Sequence, residues 1–240
     1  MFTKHTKYMP NIAENISLVG ENISHSAALV GRNANGVNIV AASKGRTEGV
    51  IREAYAAGVR HFGESYVQEA QRKIEKLGDL DITWHFIGPL QSNKTAVIAS
   101  HFDWVDSLDR LRIAERLSRQ RPSELPPLQV CLQVNIDGEV SKSGVAPGKV
   151  GELADKVCLL PNLCLRGLMV IPRPRATLEE QALPLRAVAK LLSELKSRSP
   201  ALAGLDTLSM GMSDDLGVAV AEGATLVRIG TAIFGPRPSR

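Results

Sequence analysis

The chain has 240 residues, 44% hydrophobic and 22% charged, an ordinary globular composition that excludes disordered, collagenous and coiled-coil classes. Its net charge of +4 (29 basic against 25 acidic residues) never gathers into a run of like charges, and only 4% of residues are aromatic. The basic stripe and stacking platforms of a nucleic-acid binder are therefore missing, and uncharged stretches such as Leu125 to Ile136 fall well short of the ~20 apolar residues of a membrane span.

Residues 1–36 read as an N-terminal helical segment, with Ile12, Ile16, Val19, Ile23, Leu29 and Val30 at helical spacing. Its opening residues include lysines but no apolar core or cleavage site, so no secretory leader is expected and the protein is placed in the cytoplasm. From residue 37 to 240 short β-like runs alternate with helical stretches. VNIVAAS (from Val37) is followed by the helical GVIREAYAAG, VRHFG (from Val59) by SYVQEAQRKIEKLG, and ITWHFIG (from Ile82) by NKTAVIASH. FDWVDSL (from Phe102) then precedes DRLRIAERLSRQ, and after a surface loop at 121–127 LQVCLQVNI (from Leu128) precedes GKVGELADKVCLL. LCLRGLMVI (from Leu163) leads to LEEQALPLRAVAKLLSELKSR, LDTLSMG (from Leu205) to DDLGVAVAEG, and TLVRIGTAIFG (from Thr225) closes the series. Eight such units predict an α/β protein, a single-domain (β/α)8 TIM barrel carrying an extra N-terminal helix; an open doubly wound sheet is the alternative. Cys131, Cys158 and Cys164 are odd in number and lack metal-ligand spacing, so they are expected to be reduced packing residues, with no metal site.

In such a barrel chemistry belongs to the C-terminal ends of the strands. Lys44 ends the first run, and partial desolvation at an apolar barrel mouth favours the neutral amine that attacks an aldehyde; a lysine snorkelling to solvent is the plainer alternative. Ser209, Gly211 and Ser213 follow the seventh run, and Gly230 and Thr231 follow the eighth. Glycines, hydroxyls and free N–H groups there suit a phosphate, or else make only turns and caps. Arg228 lies inside the apolar eighth run on the face of Gly230, so it needs a ligand acceptor or a salt bridge within the barrel. Closure pairs the eighth strand with the first, which brings Arg228 and Lys44 to adjacent strands. His85 is read as a hydrogen-bonded support behind the ligand, while Asn135 and Lys142 flank the loop after the fifth strand, where Asn135 is expected to contribute to the binding site and Lys142 either reaches the mouth or is solvated.

Taken in order, FGESYVQE, WHFIGPLQSNK, QVNIDGEVSKSG, LRGLMVIP, LSMGMSDD and VRIGTAIFG closely resemble the pyridoxal 5′-phosphate homeostasis protein family, single-domain relatives of the alanine racemase N-terminal barrel. The resemblance spans Val37 to Gly235. It implies that Lys44 carries pyridoxal 5′-phosphate as an internal aldimine, that Met212, Ser213, Gly230 and Thr231 hold the phosphate, and that Arg228 faces the pyridine nitrogen. It also implies a role in vitamin B6 balance, buffering the cofactor or delivering it to pyridoxal-phosphate-dependent apoenzymes, without established catalysis and as a monomer. The sequence departs from the family at GRTEG after Lys44, at Ser65 for asparagine and at Pro89 for histidine.

Two enzymatic readings stand beside it. An amino-acid racemase needs a base on each face of the α-carbon, and the related racemases take their second base, a tyrosine, from a C-terminal domain; Tyr8, Tyr55 and Tyr66 all fall in the N-terminal third of this chain, which argues against it. A Schiff-base aldolase shares the lysine and phosphate features and is distinguished by being colourless.

Overall fold

The computed structural model describes residues 11–139 and 141–236. Eight parallel strands close into a barrel in sequence order, β1 (Asn38–Ala42), β2 (His61–Glu64), β3 (Thr83–Phe86), β4 (Trp104–Leu108), β5 (Leu128–Val134), β6 (Leu163–Val170), β7 (Thr207–Ser209) and β8 (Leu226–Ile229). The closed barrel, not the open sheet, is the architecture. Helices α2 (Glu48–Ala56), α3 (Val67–Lys76), α4 (Thr95–His101), α5 (Leu111–Gln120), α6 (Pro147–Val157), α7 (Leu178–Arg198) and α8 (Leu216–Ala221) connect consecutive strands.

Before the barrel lies α1 (Ile12–Leu29), opened by a capping box in which the Asn11 side chain accepts from Glu14 N–H and the Glu14 carboxylate accepts from Asn11 N–H. It buries Val19, Ile23 and Ala27 against the barrel helices, and Asn15 Nδ2 donates to the Ile233 carbonyl at 2.9 Å. Arg32 donates to the carbonyls of Val220 and Ala224 at the end of α8. The first ten residues of the expected N-terminal segment, with Tyr8, lie outside the described residues.

One expectation needs correction. The eighth run does not stay extended to Gly235: the strand ends at Ile229, and Thr231–Phe234 form a short helix, α9. Ile233 can then point into the core beneath α1, which an extended chain would leave unfilled. The loop at 121–127 lies at the surface as expected, with Ser123 to Pro127 exposed, and it is anchored at its start by the buried Arg121, which donates to the carbonyls of Ala99, Phe102 and Pro126.

Pleating sends alternate residues to the two faces of the barrel wall. Ala41, Phe62, Phe86, Val105, Val130, Leu168, Val227 and Ile229 are buried in the continuous core that includes the helices. In parallel pairs, register partners share a face, and the pairs Val40↔His61, Val40↔Arg228, Gly63↔His85, His85↔Trp104 and Met169↔Ser209 mark the interior layer. That interior is rich in polar groups, and it positions the site.

Where β6 meets β7, Gly167 lies so close to Thr207 that a Cβ would fall 1.9 Å from the Thr207 carbonyl oxygen. Gly167→Ala is therefore expected to reach or exceed the upper end of the ~1–3 kcal/mol typical of overpacking, measured as a drop in urea midpoint; an unchanged midpoint would show that the two strands separate freely.

Candidate functional site

Barrel closure sets Val40 of β1 beside Arg228 of β8. Two residues beyond β1, Lys44 sits half-buried in a tight turn, its Nζ 4.4 Å from the centroid of the Tyr66 ring, a cation–π contact. Lys44 belongs to no ion pair among the described residues. By contrast Lys142, the other lysine singled out in the sequence, pairs with Glu139 at 2.7 Å.

Arg228 is almost wholly buried. Its Nη1 donates to Ser209 Oγ at 2.8 Å and its Nη2 to the Val170 carbonyl at 2.8 Å. Ser209 Oγ donates in turn to Asp106 Oδ2 at 2.7 Å. The other carboxylate oxygen of Asp106 lies 3.0 Å from His85 Nδ1, and His85 Nε2 lies 3.0 Å from His61 Nδ1. In one consistent tautomer set His85 donates to Asp106 and accepts from His61. Trp104 stacks on the His85 ring at a centroid distance of 5.2 Å.

A guanidinium cannot shed its charge, so its burial requires compensation within reach. Asp106 provides it through Ser209. Burial pushes the Asp106 carboxyl up, but His85, the Ser209 hydroxyl and Arg228 together outweigh this and hold it below its usual range. Burial, reinforced by His85, lowers the His61 pKa to about 4.

The loops after β7 and β8 lie side by side at the mouth. Arg228 N–H donates to the Gly211 carbonyl at 2.9 Å, and Ala232 N–H donates to Ser213 Oγ at 3.2 Å. Gly211 has φ +95°, and a Cβ there would lie 2.5 Å from the Ala219 Cβ, so the loop takes this path only with glycine. Met212 N–H donates to Asp215 Oδ1 at 2.6 Å. Gly230 is half-buried, and a Cβ there would meet Ala42 at 3.5 Å, while Thr231 is exposed at the start of α9.

Lys44, Arg228, Ser213, Gly230 and Thr231 thus come from neighbouring strand ends, with Met212 on the same loop as Ser213. Ser209 does not join the loop: its hydroxyl points into the barrel and is used by Asp106 and Arg228. His85 is a member of the interior chain, without a position at the mouth. Asn135 spends both its polar atoms on the Glu139 backbone, Nδ2 to the carbonyl and Oδ1 from the N–H, and so clasps its own loop. Sequence reasoning missed Asp106, His61 and Tyr66. Strand alternation in FDWVDSL already aims Asp106 inward, the one signal that reveals it.

Because the folded protein holds His61 at about 4, below an unfolded value of roughly 6.5, the folded state resists a proton that the unfolded chain accepts. Its contribution to stability is complete above about pH 6.5 and is lost as pH falls toward 4. Denaturant midpoints of the wild type should fall through that window more steeply than those of His61→Gln. Parallel profiles would remove His61 as the source.

The alanine racemase N-terminal domain family profile matches residues 11–238. The pyridoxal phosphate homeostasis protein of Pseudomonas aeruginosa PAO1 is 56% identical over 229 residues, 95% of this chain and 97% of that protein. Its counterpart from Escherichia coli K12 is 50% identical over 232 residues, covering 95% and 98%. The solved structure of PipY from Synechococcus elongatus PCC7942 with PLP bound matches with a TM-score of 0.79 at 40% identity, over 90% of this chain and all of that one. Alanine racemase from Bacillus anthracis, 16% identical with a TM-score of 0.64, shares the barrel fold. Near-complete coverage at this identity, on the same closed barrel, leaves one assignment: the chain belongs to the pyridoxal phosphate homeostasis proteins of the alanine racemase N-terminal domain family.

Proposed function

We propose that the protein binds pyridoxal 5′-phosphate covalently through Lys44 and acts in its homeostasis, holding the cofactor and releasing it to apoenzymes in the cytoplasm, as a monomer and without amino-acid turnover. The observation that carries this reading is the donor set at one barrel mouth. An amine without an ionic partner, a buried guanidinium, and the hydroxyls and N–H groups of two adjoining loops match a ligand whose aldehyde, ring nitrogen and phosphate all accept. The relatives' names and the PLP-bound PipY structure agree with it.

Bound pyridoxal phosphate supplies an aldehyde that condenses with amines and a ring that withdraws electrons when its nitrogen is protonated. Lys44 provides the amine. Ser213, Gly230 and Thr231, with Met212 on the same loop as Ser213, are assigned to the phosphate, where the loops offer hydroxyls and N–H groups. Arg228 is assigned to the ring nitrogen: Nη1 and Nη2 are held by Ser209 and Val170, which fixes the guanidinium and leaves Nε outside those bonds. A fixed positive charge there disfavours protonation of the ring nitrogen. The ring then draws electrons weakly, which suits storage and delivery better than racemisation or transamination.

The protein as purified is expected to be yellow, with a band that borohydride bleaches; an aldolase would be colourless. Lys44→Ala should lose that band while changing stability by no more than about 1 kcal/mol, seen in absorbance and thermal unfolding. A variant that stays yellow through a reducible bond would move the attachment to another lysine. Thr231→Val should weaken pyridoxal phosphate by about 10- to 150-fold, the value of one hydrogen bond to a charged group, and leave pyridoxal nearly unaffected in equilibrium dialysis. Equal losses would place the phosphate elsewhere.

A further inference from the structure

The motif FGESYVQE contains two glutamates that the cofactor reading does not use, and the structure brings both to the turn that carries Lys44. Lys73 of α3 is buried, and its three donors are all taken: Glu64 Oε1 at 2.6 Å, Glu69 Oε1 at 2.7 Å and the Ser43 carbonyl at 2.8 Å. Glu64, at the end of β2, also accepts from Ser43 Oγ at 2.6 Å. Glu69 accepts from Gly45 N–H at 2.6 Å, and Ser43 N–H donates to the Gly63 carbonyl at 3.0 Å. The residue before Lys44 is therefore held at three atoms and the residue after it at one. Gly45 has φ +73°, a left-handed conformation that turns the chain sharply at this point.

We propose that Glu64, Glu69 and Lys73 are positioning residues, a buried ionic clamp that fixes the Ser43–Lys44–Gly45 turn and so presents the Lys44 amine for condensation. The inference rests on the cofactor reading and deepens it. The side chain of Lys44 stays outside the clamp, against Tyr66, while the neighbouring lysine that lies deepest is saturated with acceptors and chemically silent. Burial works against ionisation of Glu69, yet Lys73 and Gly45 N–H outweigh it and hold its carboxyl below the usual range. Burial pushes the Glu64 carboxyl up against Lys73 and Ser43, and its Oε2 has no hydrogen-bond partner among the described residues. The Gly45 bond therefore rests on the carboxylate of the two that stays charged more readily, and Glu69 is also the least buried member of the clamp.

Condensation forms a C=N bond between the Lys44 nitrogen and the aldehyde carbon, and the aldehyde oxygen departs as water with both amine protons. A turn that wanders slows this step without changing how the ring and phosphate are held. The test compares wild type, Glu69→Ala and Glu69→Gln, stripped of cofactor, in two assays. One is the rate at which the yellow, reducible species appears with pyridoxal phosphate. The other is the affinity for pyridoxine 5′-phosphate, which has ring and phosphate but no aldehyde. Glu69→Ala is expected to slow condensation about tenfold or more with pyridoxine phosphate affinity unchanged, and Glu69→Gln, which keeps an acceptor for Gly45 N–H, to recover most of the rate. An unchanged rate in Glu69→Ala, or an equal loss of pyridoxine phosphate affinity, overturns the clamp. Amide hydrogen exchange at Gly45 in the cofactor-free proteins separates this outcome from failure of the cofactor reading. If the wild type forms no reducible species, faster exchange in Glu69→Ala still supports the clamp, and unchanged exchange refutes it.

Discussion

A permanently charged guanidinium inside a closed barrel is the constraint around which the rest of this molecule is arranged. Arg228 cannot deprotonate, and β8 sets it opposite Val40 in the barrel interior. The interior must therefore supply a negative charge and a route to it, and the Arg228–Ser209–Asp106–His85–His61 chain does so across β8, β7, β4, β3 and β2. Truncating Asp106 would leave the buried Arg228 without its counter-charge, a far larger loss than the net worth of the intact pair. The barrel thus spends its interior on holding one side chain still, while its hydrophobic stability comes from the outer layer, where the strands meet the helices.

A second polar group works at the mouth, on the other side of β1. There the charged residues are on α3 and the end of β2, and they act on backbone atoms beside Lys44 rather than on its amine. The two arrangements divide the labour: one immobilises a cation within the barrel, the other immobilises the turn that carries an amine. Between them the strand ends of β7 and β8 contribute loops whose path depends on Gly211.

Most of the fold was readable in the sequence because barrel strands are short apolar runs punctuated by amphipathic helices, and all eight runs became strands. The TAIF stretch misled because Ala, Ile and Phe at the end of an apolar run carry no local sign of a turn; Gly230 was the break. The position of Lys44, Gly230 and Thr231 at the barrel mouth was legible from their place at strand ends. Alternation shows that Asp106 faces inward but not what it meets, and the contacts of Asp106, His61 and the Glu64–Glu69–Lys73 clamp were not legible, since their partners lie on other strands or a helix, and pairing across a barrel depends on register that spacing does not encode. The same blindness put Ser209 in the phosphate loop, when one step of strand pleat turns its hydroxyl inward to Arg228. Asn135 looked available for a ligand for a similar reason, until its contacts to Glu139 closed its own loop.

The proposed role of Arg228 turns on what its fixed charge would do to a pyridoxal phosphate ring at the barrel mouth. NMR of pyridoxal phosphate labelled at the ring nitrogen and bound to the wild-type protein measures it directly. An unprotonated nitrogen across the neutral pH range is the predicted result. A nitrogen that stays protonated there would contradict it, since the barrel would then be supplying the electron sink of an enzyme instead of suppressing it.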